Sequence, residues 1–225
     1  ERAKFDQLLI DNAASKGATV MHQQQVLSAD LDNQLWQVET RSVIDNDAPK
    51  QSFSAKWLID ASGRNAFYGK SRKLAQDTIP YPKRLAVYSH FSGVKLRTEG
   101  DARGNILITR LSDGWFWVIP LDDEKTSVGV VSTKKREEWK NESFTPRAFF
   151  DREVARSPYL TDLMADAQVM DEFRVTADYT YSHTNYGDKQ LLLVGDAAGF
   201  IDPVFSSGVY LALRSGQMAA DGIIK

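Results

Sequence analysis

Apolar and polar positions follow one another along this chain in distinct rhythms, and each rhythm predicts an element. Phe5, Leu8, Leu9, Asn12 and Ala13 recur at helical spacing, and Gly17 follows where a C-terminal cap belongs. Thr19 to Leu27 reads as a strand. Leu35 to Val43 sets Trp36, Val38 and Thr40 against Leu35, Gln37 and Glu39, the alternation of a half-buried strand. Asp45-Asn46-Asp47 and Pro49 make a turn, and Phe53 to Asp60 returns as the partner. After Pro80-Tyr81-Pro82 come four short β-patterned segments: Leu85 to Phe91, Asn105 to Arg110, Trp115 to Leu121 and Thr126 to Ser132. Turn residues join them, which predicts an antiparallel sheet. Thr145-Pro146 starts a helix carrying Phe149, Phe150 and Val154, with proline at the first helical position. Ser157-Pro158 ends it, and Leu160 to Ala167 forms a second, short helix. Val169 to Val175 and Tyr179 to Ser182 are further strands. The apolar run Leu191-Leu192-Leu193-Val194 is a buried strand, and a Gly/Ala-rich helix runs from about Val209 to Ile224.

The last strand, the loop and that helix form the most informative string: Gly195-Asp196-Ala197-Ala198-Gly199-Phe200-Ile201-Asp202-Pro203-Val204-Phe205-Ser206-Ser207-Gly208-Val209. A buried strand, a loop of small and acidic residues and a helix start suit a polyhydroxylated cofactor. Gly195 and Ala197 keep the turn open to a ligand. Asp196, at the strand's carboxyl end, can accept hydrogen bonds from a sugar or polyol. Pro203 stiffens the loop, and the N–H groups of Ser207, Gly208 and Val209 are free donors at a helix N-terminus. The plain alternative is a strand–turn–helix with Gly-Asp, common in α/β proteins.

A second string, Trp57-Leu58-Ile59-Asp60-Ala61-Ser62-Gly63-Arg64, delivers Asp60 to the carboxyl end of an apolar strand. Ala61, Ser62 and Gly63 permit close backbone approach. A third, Gly114-Trp115-Phe116-Trp117-Val118-Ile119-Pro120-Leu121, puts Trp115, Trp117 and Ile119 on one face and Phe116, Val118 and Pro120 on the other. By composition it is a core strand, or else the wall of a substrate site.

The first string resembles the second flavin-binding motif of FAD-dependent aromatic hydroxylases, and is most similar to the flavin-dependent halogenases. The second is similar to the short Asp-Gly motif that these flavoproteins place near the FAD pyrophosphate. The Trp-x-Trp-x-Ile-Pro of the third matches the pattern of the halogenases at all four defined positions. The resemblance implies a fold of class α/β plus antiparallel β: a partial Rossmann-like FAD-binding domain with an antiparallel-sheet substrate domain. The domains expected are 1–80 with 185–225 for the cofactor and 81–184 for the substrate. It implies FAD as cofactor, bound by Arg2, Asp60, Gly63, Gly195, Asp196, Pro203, Ser207, Gly208 and Val209. For Arg2 the alternative is a solvated surface charge. Halide would lie on the backbone amides of Ser207 and Gly208. Trp115 and Trp117 would form a wall that keeps the organic substrate from the flavin while a small oxidant passes.

The implied reaction uses FADH2 from a separate flavin reductase, O2 and a halide ion. Together they make hypohalous acid, which halogenates an electron-rich aromatic or pyrrole-type substrate, free or carrier-bound. No catalytic residue is assigned, because the family's lysine belongs to an N-terminal section that these 225 residues do not contain. The G-x-G-x-x-G phosphate loop is absent as well. Tyr210 stands where relatives often have His, and Gly199 where a Cys or other small residue is frequent. Three alternatives stay open: a flavin monooxygenase that hydroxylates its substrate, a reductase similar to geranylgeranyl reductase, and an inactive fragment with an incomplete FAD site.

Composition narrows this further. The formal charge of −2 with mixed signs along 225 residues gives no nucleic-acid or membrane footprint. The absence of cysteine excludes disulfides and thiolate metal sites. The three histidines, His22, His90 and His183, are too scattered to form a metal site. A cytoplasmic protein is the expectation.

Overall fold

The computed structural model describes residues 2–71, 76–77, 84–96, 104–133, 145–177, 180–201 and 203–224. Pro80-Tyr81-Pro82, Tyr179 and Asp202 lie outside the described residues. In chain order the elements begin with α1 (Arg2–Ser15), β1 (Gln24–Asp32), β2 (Leu35–Ser42), β3 (Gln51–Ala55), β4 (Leu58–Asp60), α2 (Phe67–Ser71) and β5 (Gln76–Asp77). The middle of the chain holds β6 (Leu85–Ser92), β7 (Leu107–Leu111), β8 (Gly114–Pro120), β9 (Thr126–Ser132), α3 (Pro146–Ala155) and α4 (Pro158–Leu163). Then follow β10 (Gln168–Val169), β11 (Arg174–Ala177), β12 (Tyr181–His183), β13 (Gly187–Asp188), β14 (Leu191–Leu193), β15 (Gly199–Phe200) and α5 (Gly208–Ile224). They divide into two compact units: residues 1–76, 183–199 and 208–225, and residues 77–182 and 200–207.

In the first unit β1, β2 and β3 form an antiparallel meander. The strand expected from Thr19 starts instead at Gln24, because Gln23 takes a left-handed backbone (φ 58°) that breaks any earlier extended run. It continues through polar Asp30 and Asp32, because Asn33 and Gln34, both at positive φ, close a two-residue hairpin that pairs Asp32 with Leu35. The expected Phe53-to-Asp60 strand is two strands. β3 ends at Ala55 on β2, while β4 pairs in parallel with β14, Leu58 opposite Leu191 and Asp60 opposite Leu193. The apolar triplet Leu191–Leu193 draws Leu58–Asp60 away from the meander. Trp36, 2% exposed, packs with Ala29, Leu191 and Leu193. Its indole N–H donates to the Gln190 carbonyl at 3.0 Å, and its ring meets Tyr68 edge-on at 5.4 Å.

In the second unit six strands form an antiparallel sheet in the order β10-β6-β9-β8-β7, with β11 also on β6. Alternation sorts its faces. Val87, Phe91, Phe116, Val118, Val128 and Val130 pack against Phe149, Phe150, Leu160 and Leu163 of α3 and α4. Burying each of these side chains stabilises the unit by about 1.5–3 kcal/mol. Thr145 caps α3 by accepting from the Ala148 N–H at 3.1 Å, and Ser157 caps α4, so Ser157-Pro158 also opens the second helix. That helix stops at Leu163 rather than Ala167. The expected Val169-to-Val175 strand is interrupted: β10 pairs with Phe91 and Ser92, β11 with residues 85–88, and 170–173 bulge out between them. On the opposite face Ala86, Trp115 and Val131 form a smaller cluster that Trp117, Phe200 and Val204 join. These contacts place residues 200–207 with the second unit, although the sequence reading assigned 185–225 to the cofactor domain.

Candidate active site

Parallel pairing of β4 and β14 brings two of the three informative strings together. The Val194 N–H donates to the Asp60 carbonyl at 3.0 Å, so Asp60 and Gly195 leave the small sheet side by side at its carboxyl edge. Each strand runs into a 3-10 turn, Gly63–Asn65 and Gly195–Ala197, and the two turns lie against each other. Asp60 is 7% exposed. One of its carboxylate oxygens accepts from the Ser62 N–H at 2.9 Å and the other from the Tyr68 N–H at 2.9 Å. Its carboxylate thus shapes the turn that holds Gly63, whose backbone is left-handed (φ +65°) with open space where a Cβ would point.

Gly195 also needs its missing side chain. Its φ is +56°, and a Cβ would press to 3.3 Å from that of Ala212 on α5. Its N–H donates to the Ser215 hydroxyl at 2.8 Å, and Ser215 in turn donates to the Leu211 carbonyl at 2.7 Å. One helix residue therefore fixes the loop to α5.

Burial pushes the Asp196 carboxyl above its ordinary pKa, while the nearby Arg64 and Arg2 guanidiniums pull it back. Arg2 is thereby placed within electrostatic reach of the Gly195 turn by α1. Its own ion pair with Asp6, at 3.0 Å, is exposed and worth little.

Pro203 opens a 3-10 turn, Pro203–Phe205, and Ser206 follows in a left-handed conformation (φ 52°), its N–H donating to the Pro203 carbonyl at 2.8 Å. The chain then bends into α5, whose first residue is Gly208. The N–H groups of Ser207, Gly208 and Val209 make no hydrogen bond among the described residues, and a Cβ at Gly208 would meet open space. Free amides with room beside them suit an anion or an electron-rich ring edge.

On the second unit's sheet, Trp115 is 8% exposed beside Val131, Phe200 and Val204, and its buried indole N–H makes no hydrogen bond among the described residues. Trp117 lies 5.8 Å from it, ring to ring, and crosses β9 over Gly129, where a Cβ would fall inside the indole. It reaches Tyr88 on β6 at 5.6 Å, and its N–H donates to the Ser127 hydroxyl at 3.1 Å. The two indoles thus make a continuous aromatic surface.

Sequence reasoning missed Ser215, Gly129, Ser206 and Arg64. Ser215 and Gly129 act through neighbours far away in sequence, and no local pattern marks them. Arg64 lay inside the Asp60 string, but its relation to Asp196 arises only from the parallel pairing.

The family model for tryptophan halogenase matches residues 1–221. The 1H-pyrrole-2-carbonyl-[peptidyl-carrier protein] chlorinase of Pseudomonas fluorescens is 32% identical over all of this chain and half of its own length. The crystal structure of the flavin-dependent halogenase CmlS superposes with a TM-score of 0.83 at 31% identity, covering 96% of this chain and 38% of that one. The myxobacterial chondrochloren halogenase CndH, described as a variant of the FAD-dependent halogenases, gives 0.81 at 32% identity, covering 95% and 49%. The chain spans about half the length of the curated relatives it matches. Within that span, the chain belongs to the tryptophan halogenase family of flavin-dependent halogenases.

Proposed function

We propose that the full-length protein is an FAD-dependent oxidoreductase that uses FADH2, O2 and halide to halogenate an electron-rich aromatic or pyrrole-type ring. The observation that carries this reading is the pairing of β4 with β14, which sets Asp60 beside Gly195 and leaves open space at Gly63. FAD, the cofactor of this family, would be held by Arg2, Gly63, Gly195, Asp196, Pro203, Ser207, Gly208 and Val209, with Asp60 shaping the turn. When bound and reduced, it supplies with O2 the oxidising equivalents that turn halide into an electrophile.

The chain's own residues do the rest. Arg2 offers positive charge to phosphate. The amides of Ser207, Gly208 and Val209 favour negative charge at the helix N-terminus, on the reduced ring or on halide. Trp115 and Trp117 exclude bulk water and fix how near an organic ring comes. The carrier-linked pyrrole in the name of the Pseudomonas relative supports a carrier-bound substrate of this kind. A separate flavin reductase is the partner that this chemistry requires.

The test supplies the full-length protein with FADH2, O2 and bromide, follows bromination of monochlorodimedone, and analyses a panel of phenols and pyrroles by mass. Brominated product supports the proposal. Hydroxylated product without bromine would replace it with the monooxygenase reading.

A further inference from the structure

The sheet face that carries Trp117 also carries a polar pair outside the halogenase motifs. Antiparallel register stacks three rows across β8, β9 and β6: Trp115, Val131 and Ala86; Trp117, Gly129 and Tyr88; Ile119, Ser127 and His90. The last row lies two residues beyond the aromatic one, about 7 Å along the strands. Phe200 and Val204 join the cluster at the first row.

His90 is there for an identifiable reason. The edge strand breaks between β10 and β11, and the bulge folds back along β6. The Met170 N–H donates to the His90 carbonyl at 2.9 Å, and the Ser89 hydroxyl donates to the Asp171 carbonyl at 2.6 Å. These two bonds hold the Asp171 carboxylate 2.5 Å from His90 Nδ1. The imidazole holds the Asp171 carboxyl below its ordinary range, and Lys125 and Arg174 add to the effect. With a carboxylate facing Nδ1, a neutral imidazole carries its proton there and presents a lone pair at Nε2. Among the described residues Nε2 has no partner, and the His90 side chain is 26% exposed. An oriented, accessible acceptor beside an aromatic platform is more than a solvated surface ion pair requires.

We propose that His90, positioned by Asp171, accepts the acidic O–H or N–H of an aromatic ring that stacks on Trp117. This inference rests on the halogenase reading and assigns that reading's substrate an anchoring residue. A hydrogen bond from the ring to Nε2 raises electron density on the ring carbons. Full transfer moves the proton to Nε2, leaving an anionic ring and an imidazolium whose charge Asp171 balances. Such a ring reacts faster with an electrophilic halogen, and a ring without the O–H or N–H loses its anchor.

The test is equilibrium dialysis of the full-length protein with 4-cyanophenol and its methyl ether, 4-methoxybenzonitrile. The phenol should bind about tenfold more tightly, the size of one charge-assisted hydrogen bond. His90→Asn keeps an amide opposite Asp171 but nothing at the Nε2 position, and should abolish the preference. His90→Gln places an amide oxygen near that position and should keep at least a threefold preference. A purely structural His90 gives the reverse order. Equal binding of the two probes by the wild type, no binding of either, or a preference that survives in His90→Asn would overturn the inference. FAD affinity, read by flavin fluorescence on the same samples, separates the two readings. Tight FAD binding without the phenol preference removes this inference alone, whereas the preference without FAD binding removes the flavin reading alone.

Discussion

Asp196 carries an electrostatic cost that can be measured. Burial raises its pKa, and Arg64 and Arg2 only partly offset the effect. A carboxyl whose folded-state pKa lies above its unfolded value favours folding while protonated, and that contribution is lost as pH rises through the folded value. Asp196→Asn removes the penalty of the ionised form. The melting temperature of the variant relative to wild type, both without FAD, should therefore grow from about pH 4 to about pH 7. A difference that stays flat across that range would show that the arginines cancel the effect of burial, and one that falls that they outweigh it. The same residue shows what a sequence can say about a site. Its place at a strand's carboxyl end was legible from the Leu191–Val194 run. Its arginine neighbours come from α1 and from the Gly63 turn, and only the folded chain brings them near.

At the level of elements, periodicity was the reliable guide where one face of a strand is buried. The β8 alternation placed Trp115 and Trp117 opposite Phe116 and Val118, α3 was marked by its Thr145-Pro146 start and apolar spacing, and α5 by its Gly/Ala-rich composition. It failed where pairing partners decide. Phe53 to Asp60 has one continuous β pattern but serves two sheets, and Val169 to Val175 is broken by the bulge at Asp171. Gly129 shows how strongly packing dictates a residue that carries no pattern. Its Cα is the floor on which the Trp117 indole rests, and a methyl group there would occupy the ring's position. Gly129→Ala should cost about 1–3 kcal/mol, the range for overpacking a tight site. Urea denaturation followed by tryptophan fluorescence measures it, and unchanged stability would mean that Trp117 is free to move. α3 adds a second constraint: Glu153, fully buried, pairs with Arg156, which also reaches Asp113 at 2.7 Å. The helix is thereby tied to the β7–β8 turn.

For the molecule as a whole, two units with separate cores carry the strings that defined the family. The first holds Asp60, Gly63, Gly195, Asp196 and the start of α5, and the second holds the Trp strand and the Pro203 turn. Among the described residues no helix is long and apolar enough to cross a membrane. No G-x-G-x-x-G run occurs within these 225 residues. Much of the energy of dinucleotide binding resides in such a loop, so the relevant test uses the full-length protein. Gly208 is the position to probe. It begins α5 and has no atom within 4 Å of a Cβ, so a side chain there fits the protein when FAD is absent. The decisive measurement is a flavin-fluorescence titration of the full-length wild type and of Gly208→Val, with their melting temperatures recorded without FAD. The account predicts binding by the wild type, at least a tenfold loss in the variant (about 1.4 kcal/mol), and equal melting temperatures. Equal FAD affinity in the two proteins would contradict it.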